Sequence, residues 1–159
     1  MKNKFYISAL FLFACAKLHA QQEPQNTMFA YNKLQTNPAY TGARDMLSIR
    51  AVYRHQWVSI PGAPQTINVN IHSPLKNERL ALGLSALNDR LGATNQTWLM
   101  ASYAYRIPFK NDTRLSFGIS AGILVYKTNL TSLDAIDQND PLLQSNLKGV
   151  NPNVGVGVL

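Results

Sequence analysis

Arg114-Leu115-Ser116-Phe117-Gly118-Ile119-Ser120-Ala121-Gly122-Ile123-Leu124-Val125-Tyr126 alternates between apolar side chains and glycine or serine. In an extended chain successive side chains point to opposite faces, so this period of two predicts a strand. One face carries Leu115, Phe117, Ile119, Ala121, Ile123 and Val125; the other carries Ser116, Gly118, Ser120 and Gly122.

The same pattern recurs outward from this block. Leu47 to Trp57 places Leu47, Ile49, Ala51, Tyr53, His55 and Trp57 against Ser48, Arg50, Val52, Arg54 and Gln56. Gln65 to Ser73 sets Ile67, Val69 and Ile71 against Asn68, Asn70 and His72. Leu80 to Asn88 sets Leu80, Leu82, Leu84 and Ala86 against Ala81, Gly83 and Ser85, and Thr97 to Ile107 has Leu99, Ala101, Tyr103, Tyr105 and Ile107 on its apolar face. A further block opens at Asn153 and breaks off at Leu159. Blocks of about ten residues have the length that a tilted membrane strand needs. After residue 20 no apolar run is long enough for a helical membrane span.

Alternation occurs in soluble sandwiches as well, so the composition of the faces decides. A sandwich shows water Lys, Glu and Thr and buries its bulky side chains. Here the non-apolar face is Gly, Ser, Asn and a few Arg, while the acids Glu78, Asp89, Asp112, Asp134, Asp137 and Asp140 fall in expected connections. Small neutral residues suit an enclosed interior, and the apolar face then suits lipid. Tyr53, Trp57, Trp98, Tyr103, Tyr105 and Tyr126 lie toward block ends, where interfacial aromatic girdles form. Pro74 to Arg79 and Pro108 to Thr113 read as tight turns, and 58–64, 89–96 and 127–152 as longer links. That is the short-turn, long-loop alternation of outer-membrane barrels with a periplasmic N-terminus.

Charged residues are 14% of the chain, well below the roughly one quarter of a soluble domain. The first four residues, Met1-Lys2-Asn3-Lys4, precede an uncharged apolar stretch from Phe5 to Ala16, and Leu18-His19-Ala20 offers a cleavage site, the layout of a secretory signal peptide. Leu12-Phe13-Ala14-Cys15 faintly suggests a lipoprotein site, but Phe13 is too bulky for it. Fifteen basic residues less Lys2, Lys4 and Lys17 leave twelve against eight acids, a mature net charge of +4. These cations neither run together in sequence nor pair with aromatics, which leaves no nucleic-acid footprint. Cys15 is the one cysteine and falls in the leader, so no disulfide or cysteine metal site is expected.

Several stretches taken in order carry a family resemblance. They are Gln21-Gln22-Glu23-Pro24-Gln25, Met28-Phe29-Ala30-Tyr31-Asn32, Asn37-Pro38-Ala39-Tyr40-Thr41-Gly42, Tyr53-Arg54-His55-Gln56-Trp57, Pro61-Gly62-Ala63-Pro64-Gln65-Thr66, His72-Ser73-Pro74-Leu75, Asn88-Asp89-Arg90-Leu91-Gly92, Leu115-Ser116-Phe117-Gly118 and Asn153-Val154-Gly155-Val156-Gly157. With them the chain resembles the PorP/SprF family, membrane proteins associated with type IX secretion in Bacteroidota. The resemblance implies an outer-membrane barrel that aids export or cell-surface retention of secreted proteins, adhesins of gliding motility among them. Family members are roughly twice this length, so the chain looks like an N-terminal half whose barrel needs further strands to close.

Each candidate residue also has a plain structural role. Asn37, Pro38 and Tyr40 form either a turn that brings the chain to the barrel rim or a periplasmic contact with other secretion components. Arg50 and Arg54 share the polar face of the first block, where a paired structural network outweighs a substrate site. Trp57 before Pro61-Gly62-Ala63-Pro64 reads as an interfacial anchor and a stiff outer loop, and Asp89 and Arg90 as outer-loop charge open to a partner. Asp134, Asp137 and Asp140 do not match the spacing of the twelve-residue calcium loop. Gly155-Val156-Gly157 lacks the third glycine and following helix of a dinucleotide loop, and His55 and His72 stand without a nucleophile or carboxylate cluster.

The sequence therefore predicts an all-β fold: an antiparallel transmembrane outer-membrane β-barrel, incomplete here at about six strands. A signal peptide is expected at 1–20, a periplasmic or rim segment at 21–46 and barrel from 47 to 159. The expected role is a non-enzymatic, cofactor-free component of type IX secretion. Its expected partners are outer-membrane lipid, other secretion components and secreted substrate proteins, with no nucleic acid and no small-molecule substrate. A small-solute channel and a soluble periplasmic β-sandwich are the alternatives. The face assignment predicts that Leu82→Arg destabilises the membrane-inserted protein by roughly 2–4 kcal/mol while Gly83→Ser is mild. Unfolding titrations in lipid check this, and equal tolerance at the two positions contradicts it.

Overall fold

The computed structural model describes residues 32–76, 78–110, 113–132 and 145–159. The leader and the Gln21 to Tyr31 motifs lie outside these residues, as do Asp134, Asp137 and Asp140. Six strands form one antiparallel sheet in chain order: β1 Ser48–His55, β2 Gln65–Pro74, β3 Leu80–Leu91, β4 Thr94–Pro108, β5 Arg114–Thr128 and β6 Leu147–Val158. Each alternating block becomes one strand, and each strand pairs with its neighbour in sequence. The sheet is open, with β1 and β6 at its edges, as an incomplete barrel is.

Register preserves parity from strand to strand. Ile119 stands opposite Tyr103 and Val156, whereas Ser120 stands opposite Ser102 and Gly155. A slip of one residue in any pair would mix the two faces. With parity kept, the apolar side chains form one continuous surface and the small polar ones the other.

Burial of these surfaces is the reverse of that in a soluble sandwich. Asn68, Asn70, His72, Ser102, Arg106 and Ser116 are buried, while Leu84 is 62% exposed, Ile119 58%, Val154 80% and Val156 84%. A water-soluble sheet would cover those aliphatic side chains, because each is worth roughly 1.5–3 kcal/mol when removed from water. Among the described residues no helix is long and apolar enough to cross a membrane. The strands themselves carry the exposed apolar band.

Four expectations need correction. β3 and β4 run to Leu91 and from Thr94, so Gly92 and Ala93 alone connect them, and 89–96 is no long link. Asp89 and Arg90 are strand residues. Their polar neighbours are satisfied within the ladder: Asn88 donates to Asn95 Oδ1 at 2.7 Å and to Thr97 Oγ1 at 2.8 Å. Gly92, at φ 55°, supplies the left-handed backbone of the turn.

β6 starts at Leu147 rather than Asn153, because the ladder to β5 accommodates Pro152 together with Gly149 and Asn151, which hid the alternation. Trp57 stands beyond the end of β1, not within it. Trp98 and Tyr126 are not girdle residues. Trp98 is buried with Leu87 and Leu124 on the covered face, and Tyr126 shares the parity of Leu124.

Candidate functional site: the occupied polar face

What covers the polar face is the chain's own segment 32–45. It contains a single helical turn, Lys33–Thr36 (α1), and a 3-10 turn, Pro38–Tyr40. Asn37 is extended, as the residue before proline must be, and its Oδ1 accepts from the Ala39 amide at 2.9 Å. Pro38 opens the 3-10 turn with φ already near its helical value. Thr41 Oγ1 donates back to the Pro38 carbonyl at 2.7 Å. Gly42 follows at φ 72°, a conformation that a side chain would strain. The segment is thus pre-shaped by local hydrogen bonds before it meets the sheet.

Docking uses side-chain amides on one half and close packing on the other. Asn32 donates to Asn68 Oδ1 at 3.1 Å, Asn70 donates to the same oxygen at 2.7 Å and also to Asn32, and Ser85 donates to Asn70. The Gly42 amide donates to His72 Nδ1 at 3.0 Å, which fixes that ring nitrogen as the acceptor. Tyr40 meets the His72 ring edge-on at 5.9 Å, and Lys33 Nζ lies 5.7 Å from the Tyr40 ring centre. Asn37 Nδ2 reaches across the sheet to the Val158 carbonyl at 2.9 Å.

Close packing depends on glycine. A Cβ on Gly118 would run into the backbone of Pro38 and Ala39, and one on Gly157 into Asn37. Ala39 and Thr41 are fully buried as a result. Gly83 is also tighter than an open interior would make it. Its Cβ would sit 3.1 Å from Thr41 Cγ2 and 3.3 Å from His72 Cβ, so Gly83→Ser requires these neighbours to give by a few tenths of an ångström.

Asp45 closes the segment at the short-turn end of the sheet. Its carboxylate accepts from Arg106 Nη1 at 2.7 Å and from Arg114 Nη1 at 2.6 Å. Arg106 is buried, and Asp45 and Arg114 are each about two-fifths exposed. The two guanidinium hydrogen bonds hold the Asp45 carboxyl below the usual carboxylate range.

The candidate residues do not converge on one site. Asn37, Pro38 and Tyr40 lie within the docked segment rather than free at a rim. Arg50 joins them, lining a small recess with Asn32, Tyr40, Arg44 and His72. Arg54 shares that face further along, opposite Thr66. Trp57 is exposed after β1. Asp89 turns inward and accepts from Thr66 Oγ1 at 2.6 Å, whereas Arg90 turns outward.

Sequence reasoning missed Asn32, Asp45, Asn68, Asn70, Arg106 and Gly118. The run of Asn68, Asn70 and His72 on one parity was the available signal for a face that must be satisfied by something. Beside α1 a cavity of about 330 Å³ remains, lined by Leu34, Pro38, Trp98, Met100 and Ser120. Among the described residues no group of three or more His, Cys, Asp or Glu comes together to hold a metal.

An open antiparallel sheet with a bare apolar face and a polar face partly covered by its own N-terminal segment defines a strand-built membrane protein. The chain belongs to the PorP/SprF family, type IX secretion system membrane proteins, whose family model matches residues 18–159. No curated protein and no solved structure matches it.

Two outcomes follow for the docked segment. Gly118→Val displaces residues 37–42, destabilises the full-length protein by about 1–3 kcal/mol, and exposes the segment to protease while the strands stay protected. Unchanged cleavage contradicts the close approach. Asp45→Asn keeps the local backbone preference but removes the charge, at a cost of about 1 kcal/mol for a half-exposed pair. Because the folded carboxyl titrates below its unfolded value, the tether holds at and above ordinary carboxylate pH and is lost as pH falls through the depressed value. Hydrogen exchange of residues 41–46 against pH reads this, and the Asn variant should lose the acid step.

Proposed function

We propose that the chain is the N-terminal part of an outer-membrane component of type IX secretion that supports export or cell-surface attachment of secreted proteins, including adhesins of gliding motility. In this reading residues 1–20 direct export, 21–46 form a periplasmic or rim segment whose residues 32–45 lie against the polar face of the sheet, and 47–159 begin the barrel. The short turns after β2 and β4 face the periplasm. The links after β1 and β5 and the two-residue turn after β3 face outward.

The observation that carries the reading is a docked segment on the polar face of a membrane-family protein. With part of that face taken up by residues 32–45, the rims and loops are the surfaces offered to partners. At the outward end Trp57 is 66% exposed, Val58 72% and Ile60 56%, an apolar tip in the β1–β2 link that suits contact with a protein partner. Other secretion components and secreted substrates are the partners inferred, and the role is docking without bond chemistry or cofactor. A soluble sandwich is disfavoured by the exposed aliphatic band.

Deletion of the gene should abolish surface display of at least one type IX substrate, and restoring the full-length protein should return it. Display of every substrate left intact by the deletion contradicts the proposal. Steady solute flux through liposomes containing the full-length protein would favour the channel instead.

A further inference from the structure

The outward face ends in a row of cations. At the long-link end of the sheet Arg90 stands opposite Asn95, Asn95 opposite Lys127, and Lys127 opposite Lys148. All four are exposed. They share the parity of the apolar band, and two residues further down their strands stand Asn88, Thr97, Val125 and Val150. On β5 the band runs from Leu115 to Val125, about the ten residues that a tilted strand needs to cross a membrane. Lys127 is the next outward residue beyond it.

Nothing among the described strand residues neutralises this row. Asp89 is the one acid within the six strands, and it points inward to Thr66. Like charges placed directly opposite each other repel, yet Lys127 and Lys148 are held in register by the ladder. At the other end of the sheet the turn after β2 mixes signs, with Glu78 between Lys76 and Arg79. At that end cations are interspersed with Glu78 and Asp45, whereas the outward row at the long-link end holds cations and no acid among the described strand residues.

We propose that Arg90, Lys127 and Lys148 form an external basic row that binds phosphate groups of anionic lipid in the adjoining leaflet. The chemistry selects lipid over a free anion. A headgroup phosphate spans the lysine pair while its acyl chains continue onto Val125, Val150 and Ile123 directly below, so charge and apolar surface are satisfied by one molecule. Arg90, across Asn95, takes a second phosphate or the far oxygen of a larger headgroup. The inference rests on membrane embedding, which family membership supplies, and not on the secretion role.

The test uses the full-length protein in neutral detergent, with retained lipid counted by native mass spectrometry. Phosphatidylglycerol should be held in preference to phosphatidylcholine, and added salt should weaken the preference. Each basic residue near an anionic surface contributes roughly fivefold, so R90Q/K127Q/K148Q should lower phosphatidylglycerol affinity on the order of a hundredfold. R90K/K127R/K148R should keep it. Folding of both variants is checked by heat-modified gel mobility. Equal phosphatidylglycerol binding by the glutamine variant overturns the proposal, as does displacement of the lipid by millimolar inorganic phosphate. Failure of the wild-type protein to hold either lipid likewise overturns the proposal, while the membrane placement stands on family membership.

Discussion

A backbone that crosses hydrocarbon must pair its own amides and carbonyls, since no water is there to do so. Everything distinctive in this chain follows from meeting that constraint with strands. The ladders of β1 to β6 absorb the backbone groups, and strict parity then sorts side chains into a surface for lipid and a surface for the interior. The exposed Leu84, Ile119, Val154 and Val156 are a liability in water and an asset in a bilayer. The constraint also explains why Asn, Gly and Ser recur where a soluble core would hold Leu and Val.

An interior of small polar groups is itself unstable if left half satisfied. The chain resolves this with its own segment 32–45, whose asparagines complete those of β2 and whose Pro38-Ala39 backbone settles onto Gly118. Glycine there serves approach rather than flexibility. Arg106 and Arg114 reach from β4 and β5 to a single carboxylate, joining the segment to the sheet at the end where β1 begins. Between the asparagine half and the glycine half of this contact a cavity of about 330 Å³ remains open beside α1.

The strands were largely legible because period-two alternation is local, and Arg114 to Tyr126 shows it almost without interruption. Extensions beyond the apolar band were not. Asp89, Arg90, Asn95 and Gln96 read as loop by composition, yet above the hydrocarbon boundary polar residues sit comfortably in a ladder. Pro152 concealed the first half of β6. Trp98 and Tyr126 were placed by residue type when parity would have placed them inside. The docked segment was out of reach because its contacts join residues far apart, such as Asn37 and Val158. The basic row was hidden for the same reason: Lys127 and Lys148 are dispersed in sequence but paired across one ladder, and Arg90 lies level with them across Asn95.

The two-faced sheet is tested most directly by nitroxide scanning of the full-length protein in lipid bilayers, with single labels placed along β5 and β6. Labels at Ile119, Ala121, Val154 and Val156 should collide freely with dissolved oxygen and little with a water-soluble nickel reagent. Those at Ser120, Gly122 and Gly155 should be shielded from oxygen, giving an accessibility that alternates at every residue. Oxygen accessibility without that alternation, or with Ser120 and Gly155 on the lipid-exposed phase, would contradict the account.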